Sequence, residues 1–403
     1  MRGLSTIEAA AVEACASAPM LDQVQRWATI NSGSHNLDGL AAVGAMLAEE
    51  FAALPGVPTM REPADVREMH ADGSLRDVQH GFNLHLAVRP EAPVQLLLTG
   101  HMDTVYAADH PFQSLKWREP GVLNGPGVAD MKGGLAVMLA ALKAVEATDA
   151  AARLGYEVVV NSDEEVGSPG SAPLIAAAAA GKQAALTYEP AALPDGTLAG
   201  ARPGSGNFSI FVHGRSAHAG RNPEQGRNAI VAAADLALRL NRARGPSLSV
   251  NPARIDGGGP SNVVPDRAVL RVNMRPATGD DQRRAQAELD AAVAMVAAEH
   301  DVRIELHGGF GRPPKPLDPA AERLFALVRS CGADLGQTIG WRTSGGVCDG
   351  NNIAACGVPV VDTMGVRGGA IHSHDEYLIV DSLVERAQLS ALTILRLVSG
   401  GLA

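Results

Sequence analysis

Three short apolar segments of this chain each run into residues that can bind a metal or move a proton. Such segments indicate buried β-strands, and predicted helices separate them along the chain. They are Val94–Thr99, followed by His101 and Asp103; Tyr156–Val160, followed by Glu164 and Glu165; and Ala184–Thr187, followed by Glu189. Alternating strands and helices predict an α/β fold with a mostly parallel sheet flanked by helices, whose strand ends meet along one edge. We therefore expect these polar residues to share one crevice.

Each of these features also has a simple structural explanation when taken alone. His101 and Asp103 could be a hydrogen-bonded polar pair, and residues 163–165 could be a solvated acidic turn. Asp130 lies in a glycine-rich segment before a predicted helix, where it could be a helix cap. Together, however, so many carboxylates would repel one another unless a positive ion neutralised them. The combination favours a metal site.

Composition narrows the class of protein. The chain of 403 residues has 34 basic and 44 acidic residues, a net charge of −10, which argues against nucleic acid or an anionic membrane as a partner. Its apolar stretches are too short to span a bilayer, and the N-terminus lacks the basic and apolar regions of a signal peptide. The four cysteines show no CxxC spacing, as expected for reduced thiols. We predict a cytoplasmic protein.

The order of the predicted elements changes near residue 200. From there, strands and helices follow the order β-α-β-β-α-β, which is typical of a ferredoxin-like α+β unit of roughly 110 residues. We predict an inserted domain over residues 201–314, between two parts of a main domain, residues 1–200 and 315–403. A helix of the first part is predicted over Gly39–Leu54, with Asp38 as its N-cap and Asn36 or Ser34 as alternatives.

Seven motifs, in the same order along the chain, resemble the M20 family of zinc-dependent metallohydrolases, most closely its glutamate carboxypeptidase (carboxypeptidase G2-like) members. They are Gly100–Val105, Gly127–Gly134, Asp163–Ser168, Tyr188–Pro190, Ser216–Gly220, Ser261–Pro265 and His372–Tyr377. Each motif is weak alone, but together they cover nearly the whole chain. The resemblance implies a zinc-exopeptidase-like main domain and a lid or dimerisation domain in the insertion.

The resemblance also implies two Zn²⁺ ions per subunit, with Co²⁺ or Mn²⁺ as possible substitutes. The implied ligands are His101 and Glu189 for one ion, Glu165 and His372 for the other, and Asp130 as a bridge between them. Mixed imidazole and carboxylate ligation suits zinc. The bond between Asp130 and Met131 would be a cis peptide. His374 is an alternative to His372, but the spacing to the following acid and tyrosine favours His372.

Two further acids would complete the reaction centre in this family. Glu164 would be the general base, which takes a proton from water and returns it to the leaving amine. Asp103 would orient His101.

Substrate binding would involve the inserted domain. His218 would reach the active site of the partner subunit in a homodimer and stabilise the developing oxyanion, although a plain loop histidine is the alternative. Asn262 and Arg275 match positions that hold the substrate α-carboxylate. Arg312 matches a further arginine near the acidic side-chain pocket, with a hinge-surface arginine as the alternative. Cys348 stands where serine is usual in a substrate-facing loop, which leaves the side-chain specificity open.

These features predict a dizinc hydrolase that releases a C-terminal, glutamate-type amino acid from a small peptide or N-acyl amino acid. The alternative among enzymes is an N-acyl-amino-acid deacylase similar to acetylornithine deacetylase. A non-catalytic binding protein of the same fold is disfavoured because Glu164 is present. A nucleotide-binding protein is disfavoured because the glycine-rich segment before the helix contains neither GxGxxG nor GxxxxGK[ST].

Overall fold

The computed structural model describes residues 3–402. Residues 1, 2 and 403, at the outer ends of the two predicted main-domain segments, lie outside the described residues. The α-helices within this range are α1 (Thr6–Ala16), α2 (Met20–Ala28), α3 (Leu37–Phe51), α4 (Gly133–Glu146), α5 (Ala172–Ala179), α6 (Ala229–Arg242), α7 (Gly279–Glu299), α8 (Pro319–Asp334), α9 (Asp349–Ala355) and α10 (Asp381–Val398).

The strands fall into one central sheet and four smaller sheets. In chain order they are β1 (Thr59–Arg61), β2 (Val66–Met69), β3 (Leu75–Val78), β4 (Asn83–Val88), β5 (Val94–His101), β6 (Lys116–Glu119), β7 (Val122–Asn124), β8 (Leu154–Asn161), β9 (Ala184–Thr187), β10 (Leu198–Ala199), β11 (Ser205–His213), β12 (Leu248–Gly257), β13 (Arg267–Pro276), β14 (Arg303–Arg312), β15 (Trp341–Arg342), β16 (Val360–Val361), β17 (Gly368–Gly369) and β18 (Tyr377–Ile379).

The central sheet has six strands in the order β1-β4-β8-β5-β9-β16. Strands β8, β5, β9 and β16 are parallel, whereas β4 pairs antiparallel with both β8 and β1. The predicted class, an α/β fold with a mixed, mostly parallel sheet, is confirmed. His101 is paired in register with Asn161, and Thr99 with Thr187. The carboxyl ends of β5, β8 and β9 therefore lie side by side.

Helices cover both faces of the central sheet. Successive residues of a strand point to opposite faces, so Leu96 and Leu98 pack in the core formed with α1–α4, α8 and α10, while Leu97 packs with α5 and α9. All three leucine side chains are buried. Burial on both faces explains why these strands appear in the sequence as continuous apolar runs rather than alternating patterns.

Helix α3 begins earlier than the sequence predicts. It starts at Leu37, and the Asn36 side chain accepts the backbone N–H of Gly39 at 3.2 Å. The prediction of Asp38 as the N-cap is wrong, because this residue already lies in the first helical turn; the alternative, Asn36, is confirmed.

Residues 205–312, here called the inserted unit, form a separate four-stranded antiparallel sheet in the order β12-β13-β11-β14. Helices α6 and α7 cover one face and share a hydrophobic core with it that includes Ile210, Leu270 and Leu289. The chain order β11-α6-β12-β13-α7-β14 is the ferredoxin-like order. The domain boundaries themselves, at residues 201 and 314, stay a prediction.

Among residues 3–402, none of the helices combines the length and the hydrophobicity that a transmembrane segment requires.

Candidate active site

The three parallel strand ends bring their polar residues together. His101 is the last residue of β5, Glu189 follows β9, and Glu164 and Glu165 occupy a short helical turn after β8. Asp130 joins them from the turn that precedes α4. All five side chains are buried, which excludes a solvated acidic turn as the explanation for the run of acids.

The distances show how Asp130 is shared between two histidines. His101 Nε2 lies 3.2 Å from Asp130 Oδ1 and 3.7 Å from Glu189 Oε2. On the other side, His372 Nε2 lies 3.3 Å from Asp130 Oδ2 and 3.1 Å from Glu165 Oε2. The two carboxylate oxygens of Asp130 thus face different histidines, which is the arrangement that a ligand bridging two ions requires.

The donor set fits divalent metal ions. Two groups of potential ligand atoms each lie within 4.8 Å of one another: His101 with Asp130 and Glu165, and His101 with Glu164 and Glu189. Burial and the nearby Asp130 carboxylate raise the pKa of Glu165 to about 8, and burial also raises the pKa of Glu189. Without a positive charge, these acids tend to hold protons. A metal ion would stabilise the ionised carboxylates. A combination of imidazole and carboxylate ligands suits zinc.

Asp103 is buried and contacts both His101 and the acidic turn. Its Oδ1 lies 3.3 Å from His101 Nδ1. Its carboxylate also accepts the backbone N–H of Glu164 at 3.2 Å and of Glu165 at 3.1 Å, and the Ser34 hydroxyl donates to it at 2.7 Å. Asp103 therefore does more than form a polar pair with His101. It also fixes the turn after β8 against the end of β5.

The turn that carries Asp130 is shaped by a cis peptide bond and by close packing. The bond between Asp130 and Met131 is cis, as the resemblance implies. A Cβ on Gly134 would come within 1.9 Å of the Tyr188 carbonyl oxygen, so glycine allows α4 to approach the end of β9. Helix α4 has no side-chain N-cap, and the Asp130 carboxylate contacts the two histidines instead. The helix-cap explanation for Asp130 is wrong.

Glu164 forms a buried ion pair with Arg312 of the inserted unit. Arg312 Nη2 lies 2.7 Å from Glu164 Oε1 and donates to the Glu164 carbonyl and to Ser168 Oγ, both at 2.9 Å. Burial raises the pKa of Glu164 to about 7, although the guanidinium opposes the shift. Arg312 is only 6% exposed, so the hinge-surface alternative is wrong.

His372, rather than His374, meets the acids. The ring of His374 stacks on His110, with centroids 5.0 Å apart, and packs edge-on against Phe112. His372 has a φ of +61°, in the left-handed region that residues other than glycine seldom adopt. This backbone conformation directs its imidazole to Asp130 and Glu165.

A cavity of about 1250 Å³ opens onto this cluster. The predicted site residues that line it are Asp130, Glu164, Glu165, Glu189 and His372, together with Arg275 and Arg312 of the inserted unit. His101 and Asp103 are buried beside it. His218 and Asn262 are exposed and lie outside the lining, so the single chain does not bring them to the cluster.

Two structural features were not predicted from the sequence. Glu376 is buried and accepts backbone N–H groups of the turn that carries Asp130; its position next to Tyr377 in the last motif was the only signal. The rest of the described chain, residues 3–204 and 313–402, is here called the main part. Where the inserted unit joins it, Arg202 and Lys315 both contact the buried Asp362, at 2.7 and 3.0 Å. No local pattern marks these residues.

Comparison with known proteins agrees with this geometry. The sequence profile of peptidase family M20/M25/M40 matches residues 97–396. The chain is 30% identical to carboxypeptidase G2 of Pseudomonas sp. (strain RS-16), over 94% of this chain and 90% of that protein. It is 27% identical to the succinyl-diaminopimelate desuccinylase of Psychrobacter arcticus, over 73% of this chain and 76% of that enzyme.

A solved structure shows the same fold. The YXEP protein of Bacillus subtilis, described as a dinuclear metal-binding peptidase of the M20 family, superimposes with a TM-score of 0.65 at 15% identity, covering 94% of this chain and 98% of that one. The family match and the 30% identity to a relative of nearly the same length establish the relationship. The chain therefore belongs to peptidase family M20/M25/M40, a metal-dependent family, and is a hydrolase that acts on amide bonds.

Proposed function

We propose that this protein is a dinuclear zinc carboxypeptidase that hydrolyses an amide bond and releases a C-terminal, glutamate-type amino acid. The observation that carries the proposal is Asp130, whose two oxygens face His101 and His372 beside further buried acids. The similarity to carboxypeptidase G2 over 94% of the chain supports the substrate class.

The metal ligands in this proposal come from the cluster described above. His101 and Glu189 would hold one Zn²⁺, Glu165 and His372 would hold the other, and Asp130 would contact both. When bound, the ions polarise the scissile carbonyl group and lower the pKa of water. Co²⁺ or Mn²⁺ are possible substitutes, because the same nitrogen and oxygen ligands suit them.

Glu164 is the proposed general base. It takes a proton from the attacking water and transfers it to the leaving nitrogen. A pKa of about 7, raised by burial, lets the same carboxyl group accept and return a proton near neutral pH. Arg312 Nη2 lies 2.7 Å from one oxygen of this carboxylate, and we propose that the attraction between their opposite charges orients it at the edge of the cavity. Asp103 fixes the backbone of the same turn.

Two arginines of the inserted unit are proposed to bind the anionic parts of the substrate. Arg275 lines the cavity, donates to Asn273 Oδ1 and to the Gly345 carbonyl, and forms no ion pair among residues 3–402. It is therefore available to a substrate α-carboxylate. Arg312 is proposed to face the acidic side chain of the substrate, since its buried Nε has no hydrogen-bond partner within the described residues.

We further propose a homodimer in which His218 and Asn262 enter the cavity of the partner subunit. The two residues lie on adjacent segments: His218 and Val263 form an antiparallel bridge, and the Ala219 N–H donates to the Asn262 carbonyl at 2.9 Å. They would therefore reach a second chain together. There His218 would stabilise the oxyanion and Asn262 would help Arg275 to hold the α-carboxylate. A cytoplasmic location is proposed from the four free cysteines.

The second candidate is an N-acyl-amino-acid deacylase, which the relationship to succinyl-diaminopimelate desuccinylase favours. A substrate panel separates the two activities. We expect release of glutamate from N-acyl-glutamates and aminobenzoyl-glutamate to exceed release of acetate from N-acetylornithine and other N-acetyl amino acids. Cleavage of the acetylated substrates alone would replace the carboxypeptidase proposal with the deacylase.

A further inference from the structure

Glu376 is a buried carboxylate that has no role in the mechanism above. It is 1% exposed and lies four residues after His372, at the end of the loop that carries this histidine. Its own backbone is tied to neighbouring segments, because its N–H donates to the Ser373 carbonyl at 3.1 Å and its carbonyl accepts from Asn124 Nδ2 at 2.6 Å. Its side chain reaches the turn that carries Asp130.

The carboxylate of Glu376 accepts four hydrogen bonds. Its Oε1 accepts the backbone N–H groups of Ala129 and Asp130, both at 3.0 Å. Its Oε2 accepts the Gly127 N–H at 3.1 Å and the Tyr106 hydroxyl at 2.9 Å. The three N–H groups belong to the turn before α4, where backbone donors have no partner within a helix. A side chain 246 positions away in the sequence thus provides their acceptor.

These contacts connect three ligand-bearing segments. Tyr106 follows the end of β5, which carries His101, and its hydroxyl lies 2.9 Å from both the Glu376 carboxylate and the Ser373 carbonyl next to His372, so these two acceptors share its one proton. The N–H of Asp130 is itself one of the donors to Glu376. The carboxylate of Glu376 therefore lies between the segments that carry the two histidines and the aspartate they share.

Asp103 forms the same kind of contact with another turn of the cluster. Asp103 accepts the backbone N–H groups of Glu164 and Glu165, as Glu376 accepts those of Ala129 and Asp130. In both cases a buried carboxylate fixes the backbone of a turn that carries a side chain of the cluster. Charge-assisted hydrogen bonds of this kind are about twice as strong as neutral ones.

We propose that Glu376 is a positioning residue for the metal centre: it fixes the Asp130 turn against the His372 loop and so sets the separation of these two ligands. This inference rests on the proposed function, which assigns Asp130 and His372 as metal ligands. Glu376 itself touches neither the substrate nor the ions.

Glu376→Gln tests this role because the side chain keeps its size but loses one acceptor oxygen. The new amide NH₂ must face either the N–H groups of Ala129 and Asp130 or the N–H of Gly127, so at least one backbone donor of the turn loses its acceptor. Residues that orient metal ligands contribute about 10–100-fold to metal affinity. We expect the zinc affinity of the metal-free protein, measured by competition with a chromophoric chelator, to fall by about this factor.

The matched control is Glu157→Gln on β8. Glu157 is also a paired, partly buried carboxylate, but its partners are His85 and Lys182. We expect this variant to bind zinc as the wild type does. The visible absorption of Co²⁺ added to each protein gives a second readout, because its bands report ligand geometry: they should shift in Glu376→Gln only.

The outcomes separate this inference from the proposed function. If Glu376→Gln keeps the zinc affinity and Co²⁺ bands of the wild type, the inference is overturned while the proposed function stays intact. If Glu157→Gln loses as much zinc affinity as Glu376→Gln, the loss reflects a general decrease in stability, and the inference is overturned as well. If the wild type binds no zinc, the proposed function and the inference both fall. Should Glu376→Gln not fold, Tyr106→Phe removes one of the four donors and should weaken zinc binding about 5-fold; unchanged binding there would overturn the inference.

Discussion

The proposed metal ligands and the proposed substrate-binding residues are positioned in two different ways. The ligands come from adjacent strand ends and turns of the main part, and buried carboxylates fix them within one chain. Of the residues contributed by the inserted unit, Arg275 and Arg312 line the cavity, whereas His218 and Asn262 are exposed outside it. One chain thus brings the proposed metal ligands together by itself, whereas the proposed roles of His218 and Asn262 require a second chain.

The largest expected effect concerns the main part alone. Glu164→Ala removes the proposed base but none of the five proposed ligands, so kcat should fall by about 10²–10⁴-fold while two zinc ions remain bound. Steady-state kinetics together with metal analysis checks both parts of this expectation. Turnover close to that of the wild type would remove Glu164 from the mechanism.

The next prediction tests whether the inserted unit acts across two chains. His218→Ala should lower kcat by about 10²-fold, as expected for the loss of an oxyanion donor. Mixing this variant with Glu164→Ala should restore part of the activity, because a heterodimer contains one site with both residues intact. Verified heterodimers with no more activity than either parent would show that His218 does not act in the partner.

A third prediction concerns Arg312, which belongs to the inserted unit but contacts Glu164 of the main part. Arg312→Lys keeps the charge and loses the forked geometry. If Arg312 mainly orients Glu164, kcat should fall by about 10-fold with KM nearly constant. A rise in KM for glutamate substrates at constant kcat would assign Arg312 to the substrate side chain alone. Arg275→Lys is the control, and we expect it to raise KM.

The smallest expected effect is on stability and depends on pH. Burial raises the pKa of Glu165 to about 8 in the folded state, compared with ~4.3 in the unfolded chain. The folded state therefore loses stability as pH rises between these two values, because the carboxyl group ionises more easily in the unfolded chain. Hydrogen bonds to Asp130 and Glu165 raise the pKa of His372 to about 11, so its stabilising charge is lost as pH rises above ~6.5. Both pKa shifts therefore lower the stability of the folded state as pH rises.

We therefore expect the free energy of unfolding of the metal-free protein to decrease between about pH 5 and pH 8. Zinc should remove most of this decrease, because the ions take the place of the protons in the cluster. Urea unfolding at several pH values, with and without zinc, measures the effect. A metal-free protein whose stability rises over this range would contradict the electrostatic description of the cluster.

Much of the fold could be predicted because its signals are local. The apolar runs identified β5, β8 and β9, and their order along the chain identified the parallel sheet and the edge where His101, Glu165 and Glu189 meet. The order of strands and helices after residue 200 identified the ferredoxin-like unit. Helix ends were less predictable: Asp38 and Asn36 are both good caps, and the path of the chain before α3 decides between them.

The sequence by itself determined the types of residue at each strand end, and with them the class of chemistry. Spacing in the last motif also favoured His372 over His374, and the structure places His372 against the acids. Only the tertiary structure decided which distant side chains meet: Arg312 with Glu164, and Glu376 with the Asp130 turn. These contacts join residues that lie far apart in the chain: Arg312 is 148 positions from Glu164, and Glu376 is 246 positions from Asp130. Periodicity and spacing describe neighbours in sequence, whereas such pairs form only when packing brings separate segments together.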